Sequence, residues 1–314
     1  MKWKILVSAP YMQPVIERFR PVFEEHDAEI ILPTVHERLS EVELLGIMGD
    51  IHGVVAGDDH FTAHVLEKAS PSLKVLSKWG TGIDSFDLEA CKKLGIAVRN
   101  TPNAFSEPVA DSIMGYILNF ARRLPAMDQQ MKSGMWDKIP GKALNESVLG
   151  VIGVGNVGKA LVRRARAFDI RVLGNDIVEI DEDFNQDSGI EMMSKKSLLA
   201  QSDFVSLCCD LNPSSYHLMT NERFRQMKPT AFVINLARGP IIEEEQLVEA
   251  LQEKVIAGAA LDVFENEPLP KNSPLLSMSN VMLAPHNSNS SPKAWENVHQ
   301  NTLKNLFEVL ENTE

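Results

Sequence analysis

Eleven short runs rich in Val, Ile and Leu recur along this chain, and most are followed by a stretch with helical periodicity. That alternation is the strongest constraint on the fold. Near-continuous apolar strands must be buried on both faces, and helices between them are how a parallel sheet is covered. The runs form two series. The first holds residues 4–9, 29–33, 52–57, 73–79 and 96–100; the second holds 148–154, 170–176, 203–209, 231–237, 256–263 and 280–285. Helical stretches at 15–26, 62–69, 156–168 and 243–254 lie between members of a series. A long one at 108–124 separates the series, and another at 292–310 follows the second. The expected fold is α/β, with two doubly wound parallel-sheet domains. At roughly 150 residues per domain, 314 residues suit two.

Charge narrows the partners. The chain has 31 Lys+Arg against 43 Asp+Glu, a net of -12. Nothing offsets repulsion from phosphates, so neither nucleic acid nor an anionic membrane is expected as a general partner. A small anionic substrate needs only a local positive field. Cys91, Cys208 and Cys209 form no disulfide framework and no C-x-x-C pair, so a reducing cytoplasm is the expected compartment. The N-terminal stretch is broken by Pro10 and Pro14 too early for a secretory signal. No apolar run reaches the roughly 18 residues of a membrane span.

The second series opens on a glycine loop. Gly153, Gly155 and Gly158, with Val154, Asn156 and Val157 between them, make G-x-G-x-x-G, directly after an apolar strand and at the start of an amphipathic stretch. Such a loop permits a tight turn and a close approach of backbone to a pyrophosphate. The helix start adds free N–H groups and a positive dipole. The next strand ends at Asp176, 18 residues after Gly158, a spacing suited to a carboxylate that accepts bonds from a ribose. No Arg or Lys follows closely to meet a 2′-phosphate, so NAD is expected rather than NADP.

Three later segments each follow an apolar strand. They are INLARGPII with Arg238, LDVFENEP with Glu267, and MLAPHNSNSS with His286. Ligands of open α/β sheets bind beyond the carboxyl ends of strands, so all three are expected at the crevice of the glycine loop. His is the acid/base nearest neutrality, a carboxylate on its other nitrogen orients the ring, and Arg offers a planar fork to a carboxylate. Pro268 selects Glu267 over Glu265. The other histidines, and Lys78 as a solvated strand end, are read as structural. No metal site is expected.

These segments, in this order and with KWGTGIDSFDLEACKKLGIAVRNTPNAFSEPVADSIMGYIL before them, resemble the D-isomer-specific 2-hydroxyacid dehydrogenase family over nearly the whole chain. The resemblance implies a Rossmann NAD-binding domain, 102–286, inserted in a smaller flavodoxin-like substrate domain built from 1–101 and 287–314. It implies an NAD-dependent oxidoreductase moving a hydride between nicotinamide and a small D-2-hydroxy or 2-keto acid. His286 would be the acid/base, Glu267 its orienter and Arg238 the substrate clamp. Gly80, Thr81 and Gly82 would hold the substrate carboxylate, and Cys208 and Asp262 would join the glycine loop and Asp176 at the cofactor. A homodimer is implied, helped by Met114, Tyr116, Ile117, Phe120 and Leu124 on the long helix. Other readings of the scaffold are a nucleotide-sensing corepressor-like protein and an oxidiser of formate or phosphite.

Two departures bear on substrate. Where the family has glycines after the catalytic His, this chain has Asn287, Ser288, Asn289 and Ser290, which should narrow or polarise the pocket. Where phosphoglycerate-type members carry an Arg, residues 56–62 offer Asp58 and Asp59, which counts against 3-phosphoglycerate.

Overall fold

A computed structural model describes residues 2–313. The chain divides into two compact units, one of Met1–Phe105 with Ser291–Glu314 and one of Ser106–Ser290. The first unit has strands β1 (Trp3–Val7), β2 (Ala28–Ile31), β3 (Gly53–Ala56), β4 (Val75–Lys78) and β5 (Ala97–Arg99). They form a parallel five-stranded sheet in the order β2-β1-β3-β4-β5, which is the flavodoxin-like order. Helices α1 (Ile16–Glu25), α2 (Glu41–Ile47), α3 (Ala63–Ala69) and α4 (Leu88–Leu94) connect them. Alternate strand residues feed opposite faces. Ile5, Val7, Val55 and Val75 join one core; Leu6, Val54, Ala56 and Leu76 join the other. Ser40, Thr62 and Asp87 cap α2, α3 and α4 with side-chain oxygens, which sets where each helix starts.

The second unit holds β6 (Val148–Ile152), β7 (Arg171–Asn175), β8 (Glu191–Met192), β9 (Phe204–Leu207), β10 (Phe232–Asn235), β11 (Gly258–Leu261) and β12 (Val281–Leu283). Its seven strands are parallel in the order β12-β11-β10-β9-β6-β7-β8. Strand order reverses between β6 and β9, the switch point at which a doubly wound sheet opens a crevice. The helices are α5 (Ser106–Arg122), α6 (Leu124–Lys132), α7 (Asn156–Arg166), α8 (Glu182–Ser188), α9 (Lys195–Gln201), α10 (Asn221–Phe224) and α11 (Glu244–Gln252). The last helix, α12 (Pro292–Glu311), belongs to the first unit. There Ser77 Oγ donates to the Thr302 carbonyl at 2.7 Å, and Trp79 Nε1 donates to His299 Nδ1 at 2.9 Å. Burial pushes the His299 imidazole below its ordinary value, which suits a ring that accepts at Nδ1. No helix among the described residues is long and apolar enough to cross a membrane.

Three details differ from the sequence reading. Observed strands end one or two residues before their apolar runs do, because the final residues of each run already belong to the loops at the carboxyl edge. The two-residue β8 was not expected: it is exposed, pairs only with β7 and carries no apolar run. The long helix stops at Arg122, because Arg123 adopts φ 54 and starts α6 in a new direction.

The acidic loop after β3 is also not what its composition suggests. Asp59 is fully buried, and its carboxylate accepts bonds from Ser8 Oγ (2.5 Å), Leu39 N (2.7 Å) and Gly57 N (3.0 Å). It ties the loops after β1, β2 and β3 together. Asp59→Ala would leave two buried N–H donors without an acceptor and Ser8 Oγ with only its longer bond to the Val55 carbonyl, at 3.4 Å, so unfolding in urea should show a loss of about 3 kcal/mol. A loss near zero would show that the turn does not depend on this carboxylate.

Candidate active site

Every candidate residue of the second unit lies at the carboxyl edge of its sheet. β6 runs into Gly153, whose φ is 93. A Cβ there would sit 2.4 Å from Cys209 N and 2.6 Å from the Cys208 carbonyl carbon, so the turn admits no side chain. Gly155 caps α7 without a side-chain bond, leaving the first-turn N–H groups of that helix to another acceptor. Asp176, beyond β7, braces the loop: Oδ2 accepts from Val154 N at 2.6 Å and Oδ1 from Val178 N at 3.1 Å. A tight, side-chain-free turn into a helix start fits a dinucleotide pyrophosphate.

Cys208 lies just past β9, where its N–H bonds the Ile152 carbonyl at 2.7 Å. Burial pushes the Cys208 thiol up to about 12 and the Cys209 thiol up to about 11. Both sulfurs therefore behave as neutral wall atoms at neutral pH, not as nucleophiles.

The Arg, Glu and His segments converge through backbone. Asn235, the last residue of β10, donates from Nδ2 to the Arg238 carbonyl at 2.8 Å and accepts from Ala237 N at 3.1 Å, which shapes the Arg238 turn. Arg238 Nη1 donates to the Ala237 carbonyl at 2.9 Å. A Cβ on Gly239 would lie 1.9 Å from the Phe264 carbonyl, so the Arg238 segment rests directly on the segment leading to Glu267. Glu267 Oε1 accepts from Phe264 N at 2.9 Å, and its Oε2 lies 3.1 Å from His286 Nδ1. Both side chains remain part-exposed.

Glu265, the competing carboxylate, is used elsewhere. Its Oε1 lies 2.6 Å from His217 Nε2, and its N–H donates to Glu244 Oε2 at 3.2 Å. Burial, followed by the charge of Glu265, pushes the Glu244 carboxyl up. The His217 N–H bonds the Pro240 carbonyl at 2.8 Å, so this cluster ties the Arg238 turn to the loop after β9. The sequence reading passed over His217 as structural. No local signal marks it, since its partner is 48 residues away.

Asp262 takes a position its sequence reading did not contain. It is fully buried at the end of β11. Its Oδ1 accepts from Asn287 N at 2.7 Å, its Oδ2 from Ser288 N at 2.8 Å, and its carbonyl from His286 N at 2.8 Å. Those bonds hold His286 at φ 49, a strained value for a side chain this large. The turn is closed by Ser290, whose N–H and Oγ both reach the Asn287 carbonyl, at 3.0 and 2.7 Å. The residues standing in place of glycines thus stiffen the His286 turn. Burial and the charge of Asp262 push the Tyr116 phenol of α5 up.

Gly80, Thr81 and Gly82 lie at the carboxyl edge of the first unit's sheet. Gly80 has φ 124 and accepts from Thr101 N at 2.8 Å; Thr81 Oγ1 donates to the Thr101 carbonyl at 2.9 Å. Lys78, expected to be solvated, is 3% exposed. Its ammonium is drawn inward because Asp58 Oδ1, at 2.6 Å, and the Gly57 carbonyl, at 2.7 Å, both accept from it.

Residues 114–288 match the family described as D-isomer specific 2-hydroxyacid dehydrogenase, NAD binding domain. A glyoxylate reductase of Thermofilum pendens is 39% identical over 258 residues, covering 80% of this chain and 76% of that protein. A glyoxylate reductase of Thermococcus onnurineus is 34% identical over 320 residues, covering 98% and 92%. Among solved structures, D-lactate dehydrogenase from Aquifex aeolicus, crystallised with NAD and lactic acid, superimposes with TM-score 0.87 at 26% identity, covering 98% of this chain and 96% of that one. The chain belongs to the D-isomer-specific 2-hydroxyacid dehydrogenase family. It is a nicotinamide-dependent oxidoreductase of 2-hydroxy acids.

Proposed function

We propose that this chain interconverts a small 2-keto acid of the glyoxylate class and its D-2-hydroxy acid, with NAD as the cofactor and His286 as the acid/base. The observation that carries the reading is His286 itself: a ring bonded at Nδ1 by Glu267 and locked in backbone by Asp262. With Nδ1 facing the Glu267 carboxylate, Nε2 on the far side of the ring would be the atom that exchanges a proton with the substrate oxygen. Bound nicotinamide supplies or accepts the hydride. Gly153, Gly155, Asn156, Val157 and Gly158 would receive the pyrophosphate, Asp176 the ribose, and Cys208 would line the same crevice, while the buried Asp262 acts behind it on the His286 turn. Asp176 would repel a 2′-phosphate, which favours NAD over NADP.

Arg238 would offer its planar fork to the substrate carboxylate, and the backbone N–H groups of Gly80, Thr81 and Gly82 are the donors that the first unit would contribute. The names of the glyoxylate reductase relatives support a substrate of this size. The three free cysteines suit a reducing cytoplasm.

The test is NADH oxidation followed by absorbance with purified protein and glyoxylate, hydroxypyruvate or pyruvate. At least one should be turned over, and His286→Ala should lower kcat by on the order of 10²–10⁴-fold. Full activity in that variant would remove His286 from the proton transfer; no oxidation with any keto acid, despite NADH binding, would remove the substrate reading.

The same reading includes a homodimer; of the helix residues the sequence singled out, Leu124, beyond the break at Arg123, is 48% exposed. Ile117 and Met114 are buried within their own unit, and Phe120 stacks on Phe232 at 4.3 Å. Exposed apolar surface lies instead beyond the break at Arg123. No residue of α6 is buried, and Met131 and Trp136 are 52% and 85% exposed. Such a surface suits a second copy of the chain. Trp136→Glu should shift sedimentation from dimer to monomer; a wild-type monomer, or a dimer indifferent to Trp136, would contradict this interface.

A further inference from the structure

The Lys78–Asp58 pair lies beside the loop that the proposed function assigns to the substrate carboxylate. Lys78 is the last residue of β4, two positions before Gly80. Trp79 N bonds the Ala56 carbonyl at 2.9 Å, so the ends of β3 and β4 are held together. The Lys78 side chain is 4% exposed and the Asp58 side chain 37%. The cation is therefore interior, already neutralised, and what reaches solvent is carboxylate.

The rest of this edge does not restore positive charge. The Asp59 carboxylate is consumed by its three donors. The loop before Leu39 contributes Glu37 and Arg38, one charge of each sign. The neighbouring segments therefore add no net positive charge to the Asp58–Lys78 pair. A second anionic group on a substrate would have to displace Asp58 from a buried ammonium, leaving one carboxylate uncompensated. A hydroxyl meets no such obstacle, because it can donate to Asp58.

We propose that the Asp58–Lys78 pair sets the charge class of the substrate: it admits 2-keto acids whose third carbon is absent or carries a hydroxyl, and rejects those with a second carboxylate or a phosphate. The inference rests on the 2-keto acid reading above. Its alternative is a staple between β3 and β4 with no influence on selectivity. The two differ in one readout, the ratio of kcat/KM values, which a purely structural pair would leave alone.

The experiment compares glyoxylate, hydroxypyruvate and oxaloacetate with NADH at neutral pH, for wild type, Asp58→Asn and Asp58→Ser, with melting curves on each. Wild type should prefer hydroxypyruvate over oxaloacetate by about a hundredfold or more, and Asp58→Asn should lower that ratio about tenfold by unmasking the Lys78 charge. Asp58→Ser should shift it the same way and serves if the amide variant does not fold. A folded variant with the ratio within about twofold of wild type, or a wild type that takes oxaloacetate as readily as hydroxypyruvate, would overturn the proposal. Absence of turnover with all three and with pyruvate would overturn the 2-keto acid reading and this proposal with it; turnover of glyoxylate with an unchanged ratio overturns this proposal alone.

Discussion

Asp262 holds the site together. One buried carboxylate accepts from two successive backbone N–H groups, and the carbonyl of the same residue accepts from a third. A charged acceptor shared between main-chain donors is worth more than a neutral one, and it is costly to leave any partner unmade in the interior. The bonds fix the turn after β12, hold His286 in a left-handed conformation and so aim its ring at Glu267. Glu267 is in turn held by Phe264 N, and the Phe264 carbonyl packs on Gly239 beside Arg238. The three side chains proposed for the chemistry are therefore positioned by main-chain contacts between the ends of β10, β11 and β12. None depends on a long flexible side chain finding its place alone.

The first unit uses acids in the same way. Asp59 is spent on three donors that join three loops, and Asp58 is spent on Lys78. In a chain of net charge -12, these carboxylates are engaged by named donors: Asp59 is fully buried, and the part-exposed Asp58 is paired with Lys78. They are acceptors that allow tight loops at a sheet edge, where backbone N–H groups are otherwise unpaired.

Local signals were legible in the sequence. Apolar runs mark both parallel sheets, because a strand buried on both faces must be apolar throughout. The glycine loop and the segments of Arg238, Glu267 and His286 are each readable within ten residues. What was not legible depends on pairs far apart in the chain. The sequence could prefer Glu267 to Glu265 only by the neighbouring proline; the structure gives Glu265 to His217, 48 residues away. Lys78 looks like a solvated strand end until Asp58, 20 residues earlier, is placed against it. Asp262 looks like a cofactor contact, and its bonds to residues 25 and 26 positions later carry no sequence pattern. The break at Arg123 was hidden because the apolar pattern continues past it.

The claim that Asp262 positions His286 is tested most directly by single-turnover oxidation of NADH with glyoxylate in Asp262→Asn. The amide keeps the shape of the carboxylate but offers an NH₂ to one of two N–H donors, so one bond is lost and a repulsive contact replaces it. The account predicts a hydride-transfer rate lower by about tenfold or more, the scale on which a misplaced catalytic group acts. A rate equal to wild type, with the protein folded, would contradict it.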